Sequence, residues 1–348
     1  MTTSGVRIEE RPAHEVLAWS RATVEPALRA AVDTLPSSMR RIAGYHFGWW
    51  NEHGQLHQTP GKGGKAIRPA LALLNSEAVG GMPAAAVPAA MAVELVHNFS
   101  LLHDDVIDGD VTRRHRPTAW RVFGRNAAIL AGDSLLALAF DVLAVSGHPA
   151  TTDGTRMLSV AVQDLVEGQS ADLDFEQRAD IELAECLRMA EQKTGALIGC
   201  ACAVGAAFGG GSPAQVQCLR SFGGHLGLAF QHVDDLLGIW GDPSVTGKPV
   251  YSDLSSRKKS LPVVAALTSG TPAGRELNAL YHRNAPLSGT DLVRAAELID
   301  IAGGRAWSRR QVDDLVTQAM RDLQAAGATT RATAELSTLT RLATHRDH

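Results

Sequence analysis

An all-α fold is what this sequence predicts, on three observations. Apolar residues recur at a helical step almost throughout the chain. Ala and Leu are abundant, while aromatic residues make up only 5%. Runs of alternating β-branched residues, the mark of half-buried strands, are scarce. The chain has 348 residues, 45% of them hydrophobic and 20% charged, which is ordinary for a globular protein. Composition does not shift midway and no long Pro/Ser linker appears. One large helical domain over residues 13–348 is therefore expected, behind a disordered stretch at 1–12.

The elements follow in order. Residues 14–35 read as an amphipathic helix with Leu17, Val24, Leu28 and Val32 along one stripe. Residues 54–64 hold Pro60, Gly61, Gly63 and Gly64 and read as a loop. A helix starts near Arg68-Pro69, where proline in the first turn is tolerated. Helices are then expected over 88–108, 127–145, 157–174, 181–208 and 215–240. Residues 242–261 are polar, with Gly, Ser and Pro, and read as a loop; helices at 261–267, 273–283, 289–301 and 308–342 finish the chain. No repeat of solenoid type is present.

Several function classes are disfavoured at this stage. A net charge of −4 offers no basic field for nucleic acid. Cys186, Cys200, Cys202 and Cys218 form no C-x-x-C pair, so buried free thiols in a reducing compartment are expected rather than a zinc site. The N-terminus has no apolar signal core, which points to a cytoplasmic protein. The most apolar stretch, 84–102, contains Pro88, Glu94 and His97. It suits a buried core helix and not stable membrane insertion.

Chemistry concentrates in two acidic tracts on apolar segments. The first is Asp104-Asp105-x-x-Asp108, followed by Arg113-Arg114. On a helix, Asp104 and Asp108 lie one turn apart on one face. Like charges at that spacing destabilise an empty helix, and hard divalent cations shared with phosphate oxygens offset the repulsion. Asp105 stands three positions from Asp108 and joins the candidate ligands. No EF-hand register fits, since its glycine and distal glutamate are missing. The second tract is Asp234-Asp235-Leu236-Leu237-Gly238, reduced at its last position. Two such clusters facing each other would hold a diphosphate and several Mg²⁺.

Basic residues form a second set. Lys65 and Arg68 follow a Gly63-Gly64 pair whose backbone can approach phosphate. The spacing is not that of a Walker A loop. Arg114 and His97, two turns before Asp104, join them. This second set suggests a second anionic substrate, held without metal. Each residue alone would read as a surface charge or a core histidine.

With these residues in view, the chain resembles the trans-isoprenyl diphosphate synthases of the polyprenyl synthetase family. The likeness runs from about Gly63 to Pro262. Its elements are Gly63–Pro69 (G-G-K-x-x-R-P), the first acidic tract with Arg113-Arg114, Lys193-Thr194-Gly195, Phe230-Gln231-x-x-Asp234-Asp235, Gly247-Lys248, and Asp253 to Pro262 with Lys258. Six elements in order are far more specific than any one of them. Two positions depart from the pattern: Gly238 stands for the last aspartate of the second motif, and Tyr251 for a glycine common in relatives.

The resemblance implies a single helical bundle of the isoprenoid synthase type with a central cavity, acting as a homodimer. It implies condensation of an allylic diphosphate with isopentenyl diphosphate. Three Mg²⁺ would be held by Asp104, Asp108 and Asp234, with Asp105 beside them. Arg113, Lys193, Lys248 and Lys258 would add charge at the allylic diphosphate. Oxygens of Lys193, Thr194 and Gln231 would face the allylic cation. Lys65, Arg68, His97 and Arg114 would fix the isopentenyl partner. Phe99 and Ser100, about one turn before Asp104, would set chain length. One aromatic at the position of Phe99 goes with a C20 product, geranylgeranyl diphosphate, ahead of the C15 farnesyl diphosphate. A class I terpene cyclase would have no use for the full Lys65/Arg68/Arg114 set. A non-catalytic subunit of a heteromeric synthase would carry acidic motifs more degraded than this one.

Overall fold

The computed structural model describes residues 10–56, 64, 66–243, 249–283 and 285–344. In chain order the helices are Ala13–Val32 (α1), Ser37–Phe47 (α2), Ile67–Ala78 (α3), Val87–Ile107 (α4), Ala119–Phe123 (α5), Arg125–Ala144 (α6), Thr151–Gln177 (α7), Leu183–Ala190 (α8), Ala196–Phe208 (α9) and Pro213–Trp240 (α10). Ser252–Ser255 (α11), Leu261–Leu267 (α12), Pro272–Tyr281 (α13), Gly289–Ile301 (α14), Gly304–Ala325 (α15) and Thr330–Thr344 (α16) follow. The predicted all-α class holds. A short antiparallel hairpin, Thr112–Arg113 (β1) with Arg116–Pro117 (β2), interrupts the helices.

By its internal contacts the chain divides into two compact units, each discontinuous in sequence. The first takes the residues up to Ser159, Cys200–Arg220 and Leu323–Leu339; the second takes Val160–Gly199, Ser221–Asp322 and the residues from Thr340.

The first unit is built on α4. This helix is apolar on nearly every face, which is why its sequence shows no clean stripe: Ala89, Val93, Leu95, Val96, Phe99 and Leu102 are all buried. Each fully buried Leu contributes about 1.5–3 kcal/mol. Segments Pro83–Ile107 and Arg125–Ala144 are long and apolar enough to cross a membrane, yet 67% and 44% of their apolar windows are buried inside the protein. For α4 that is the signature of a core helix. Proline in its first turn starts it, and Gly109 at φ 68° follows its C-cap, Asp108.

Of the stretch 1–12 expected to be disordered, 1–9 lie outside the described residues, and Arg11 makes a contact remote in sequence. Its guanidinium donates to both carboxylate oxygens of Glu335 at 2.8 and 2.6 Å and lies 4.1 Å from the Trp19 ring centre. Glu335 is fully buried. Arg11→Ala should therefore cost about 3 kcal/mol, since it leaves a buried carboxylate with only the 3.3 Å bond from Arg331 Nε. Urea denaturation measures this; a loss under about 0.5 kcal/mol, the size of a surface effect, would mean the pair does not stabilise the fold.

The second unit packs α10, α11, α12, α13 and α14 around Ile239, Leu254, Val263, Leu277, Leu298 and Ile299. A neighbouring cluster joins Cys186 and Met189 of α8 to Leu228, Leu261 and Val264. Cys186, Cys200 and Cys202 are buried free thiols, as expected, and Cys218 is half-buried. Burial pushes the Cys200 thiol up to about 12, so it stays protonated and unreactive.

Candidate active site

In the first unit, α4 carries the first acidic tract to its C-terminal end. Asp104 is half-buried and Asp108 exposed, one turn apart, and the Asp108 N–H donates to the Asp104 carbonyl at 2.8 Å. This pair reaches solvent and fits a hard cation through oxygen donors. Asp105, expected among the ligands, points the other way. It is 1% exposed and accepts from Arg113 Nε at 2.7 Å. Burial pushes its carboxyl up to about 6 against the pull of Arg113. Arg113 thus gives its Nε–H to Asp105. Among the described residues no three acidic, His or Cys side chains converge as a preformed metal cluster, so ligands from a bound diphosphate would have to complete the sphere.

Past the tract, the chain turns back through β1 and β2. Arg114 and His115 at the turn adopt φ 52° and 62°, the conformation a two-residue hairpin demands. This costs about 1 kcal/mol for each non-glycine residue. The turn sends the Arg114 guanidinium inward, toward Glu94 and the Gly64 backbone. Burial lowers the Arg114 value and Glu94 opposes it; burial raises Glu94, opposed by Arg68 and Arg114. His97 is pushed well below its ordinary value by burial, then by Arg68 and Arg114. A neutral His97 beside two guanidiniums leaves a net positive pocket suited to an anion. The expected Arg68, His97 and Arg114 therefore come together; Lys65 lies outside the described residues.

His46 on α2 is a neighbour of this group that sequence reading passed over. Burial, then Arg114 and Arg113, pushes the ring down to about 3 against the opposing pull of Asn98. The unfolded chain takes up a proton below about 6.5 and the folded ring does not. The contribution of His46 is thus complete above that pH and shrinks as pH falls toward 3. At about pH 4.5 its loss amounts to about 2.7 kcal/mol. Thermal melts of His46→Gln should show correspondingly less acid destabilisation than the parent; identical pH profiles would contradict it.

In the second unit, the expected helix over 181–208 is broken by a π turn at Glu191–Gly195. The turn presents Lys193 and Thr194, as such distortions often do at sites. Lys193 Nζ donates to Asp172 Oδ2 at 2.5 Å, and Thr194 Oγ1 donates to Gln231 Oε1 at 2.6 Å. Gly168 on α7 makes this possible: a Cβ there would lie 2.4 Å from the Lys193 nitrogen. Asp172 and Glu94 are the acidic residues that sequence reading missed. The signal for the first was Gly168-Gln169-x-x-Asp172, a close-approach residue one turn before an acid.

On α10, Asp234 is half-buried, while Asp235 is 3% exposed and fully engaged. Asp235 accepts from Gln231 Nε2 at 2.8 Å and from the Leu261 N–H at 2.9 Å, capping α12. Lys258 Nζ stands 3.8 Å from it. Burial works to lower Lys258, but Asp235, Asp253, Asp172 and Asp234 together hold it above its ordinary value. Lys258 is firmly cationic. Lys248 lies outside the described residues. Tyr251, the glycine substitute, keeps the left-handed backbone of a glycine (φ 64°), and its ring packs on the apolar cluster of this unit. That packing offsets the backbone cost.

Phe99 is 6% exposed and lies edge-on to His103, ring centres 4.7 Å apart, against Gly132 of α6. Ser100 is buried with its hydroxyl donating to the His97 carbonyl of its own helix at 2.9 Å.

The chain is similar to known proteins over most of its length. The model of the polyprenyl synthetase family matches residues 53–299. A (2E,6E)-farnesyl diphosphate synthase of Mycobacterium tuberculosis is 46% identical over 327 residues, covering 93% of this chain and 90% of that one. A geranylgeranyl diphosphate synthase of the same organism is 45% identical, over 88% and 87% of the two chains. The crystal structure of a polyprenyl synthetase from Streptomyces coelicolor superposes with a TM-score of 0.90 at 45% identity, over 95% and 99% of the chains. A geranylgeranyl pyrophosphate synthase from Corynebacterium glutamicum, crystallised with isoprenyl diphosphate and magnesium, gives 0.82 at 26% identity over 97% and 100%.

Proposed function

We propose, from the premise that the chain belongs to the polyprenyl synthetase family, that its product is geranylgeranyl diphosphate, made with residues in the roles below. The chain is a short-chain isoprenyl diphosphate synthase, a prenyltransferase. The observation that carries the assignment of roles is the split within the first motif. Asp104 and Asp108 reach solvent on one face, while Asp105 is turned in onto Arg113.

Asp104, Asp108 and Asp234 are the magnesium ligands, with three ions in all. Bound there, magnesium neutralises the allylic diphosphate and makes it a leaving group. Asp105 is a positioning residue that fixes Arg113 and the end of α4. Lys258 and Lys193, with Lys248, add positive charge where the leaving diphosphate gathers its negative charge. Asp172 holds the Lys193 ammonium in place. The Thr194 hydroxyl, donated to Gln231 Oε1, leaves its lone pairs to face the developing allylic cation.

Arg68, His97 and Arg114, with Lys65, bind the diphosphate of isopentenyl diphosphate and so align its double bond with the cation. Glu94 offsets the repulsion between the two guanidiniums. The departing pyrophosphate takes the final proton, and no side-chain nucleophile is needed.

The Phe99 ring, buried edge-on to His103, supports a C20 limit. The protein works as a homodimer. Exposed apolar residues on α6, Ile129 at 38% and Leu130 at 55%, give that helix a face to cover. Product chromatography from dimethylallyl, geranyl and farnesyl diphosphates, each with isopentenyl diphosphate and Mg²⁺, tests the reading. A C20 end product supports it; accumulation of C15 replaces it with farnesyl diphosphate synthesis.

A further inference from the structure

The pocket bounded by Glu94 and Arg114 has a second wall, the face of α1 that carries Arg21, Val24 and Leu28. Val24 and Leu28 are buried and seat the helix, while Arg21 is exposed at the rim. Its guanidinium is nonetheless directed. Nη2 donates to the Gly64 carbonyl at 2.8 Å. The nearest acid on the same helix, Glu25 one turn on, is taken by Arg29, which donates to it from Nε and Nη2 at 2.9 and 2.7 Å.

Gly64 meets a second guanidinium. A Cβ built there would lie 2.7 Å from Arg114 Nη2 and 3.3 Å from its Cζ. Gly64 thus sits between Arg21, on its carbonyl, and Arg114, in the space of its missing side chain. Two residues on, Ala66 holds φ 52° as the N-cap of α3, with no side-chain cap bond. A non-glycine residue keeps that backbone only where its surroundings enforce it. Arg68 follows in the first turn of α3. The bond from Arg21 is therefore placed to fix both the entry into α3 and the seat of Arg114. The charge of Arg21 also acts on Glu94 and Arg114.

We infer that Arg21 is a positioning residue of the isopentenyl diphosphate pocket: from α1 it pins Gly64, and through Gly64 it sets Arg68 and Arg114 for the diphosphate. The inference rests on the proposed binding role of Arg68, His97 and Arg114. Arg21 belongs to none of the six family elements, and its only link to them is this contact in space.

Steady-state kinetics of the full-length protein in Mg²⁺, with isopentenyl and geranyl diphosphates varied in turn, are the test. Arg21→Met keeps the apolar stem and removes the donor. It should raise the KM for isopentenyl diphosphate about tenfold, the size of one charged hydrogen bond. The KM for geranyl diphosphate and kcat at saturation should change by less than about threefold. Arg21→Lys, which keeps a cationic donor, should recover most of the loss. Both variants should melt with the parent, because Arg21 is exposed. An unchanged KM for isopentenyl diphosphate in Arg21→Met overturns the inference. So does an equal rise in both KM values, a fall in kcat alone, or an Arg21→Lys variant as weak as Arg21→Met. A variant that melts far below the parent makes Arg21 a structural residue and overturns it as well. In each of these cases the parent still condenses its substrates and the proposed function stands. A parent that transfers nothing to isopentenyl diphosphate overturns both.

Discussion

Asp104→Ala abolishes condensation: turnover falls by about 10³-fold or more, while the protein stays folded. The kinetic part follows from the role of the residue. Loss of one preorganised charge-stabilising group costs about 10²–10³ in rate, and here the group is also needed to retain a metal ion. The stability part follows from its place. Asp104 sits half-buried at the end of α4, one turn from Asp108, and like charges at that spacing repel by a few tenths of a kcal/mol. Circular dichroism should therefore report an unchanged helix content and a melting temperature close to the parent's. A variant that unfolds would make Asp104 a structural residue. A folded variant with more than about a tenth of parental turnover would remove it from the metal set.

Phe99→Ala shifts the product beyond C20. The ring is 6% exposed and held by His103, whose own ring Nε2 lies 3.0 Å from the Ile129 carbonyl of α6. Gly132 leaves room for both rings; a Cβ there would meet His103 at 2.4 Å. A large side chain clamped in this way is a hard stop, because close-packed interiors yield little. Its removal opens a cavity and costs about 3–5 kcal/mol, so assays belong at low temperature. Chromatography of the dephosphorylated products should show C25 and longer chains. An unchanged C20 limit in a folded variant means that the floor lies elsewhere and that Phe99 only packs α4 on α6.

Much of the architecture was legible because it depends on period and punctuation. The helix at 289–301 was placed to the residue, since Ser288 and Asp291 form a capping box and the apolar step is clear. Other boundaries depend on contacts that no local pattern encodes. The helix expected over 308–342 is split at Gly327, whose φ of 62° ends α15 and lets α16 start afresh. The short α2 was missed because its buried side is only Ile42, Ala43, Tyr45 and Phe47, too brief a stripe to stand out.

The candidate site shows the same divide. Spacing alone puts Asp104 and Asp108 on one face, and order alone assembles the six family elements. What spacing cannot tell is which member of an acidic pair turns inward. Asp105 and Asp235 are both committed to internal partners, Arg113 and the α12 N-terminus. Asp172 escaped notice because its partner, Lys193, lies 21 positions away and is displayed by a π turn. Nor does the sequence reveal that Asp253 fills the place of a side chain at Gly238.

The most direct measurement of the central claim is transfer of radiolabel from isopentenyl diphosphate into an allylic diphosphate by the purified chain, with and without magnesium. The account predicts a labelled C20 diphosphate with Mg²⁺, none in excess EDTA, and recovery when Mg²⁺ is restored. It is contradicted if no label enters an allylic chain from any starter in Mg²⁺, or if a C20 diphosphate is consumed to a hydrocarbon without isopentenyl diphosphate.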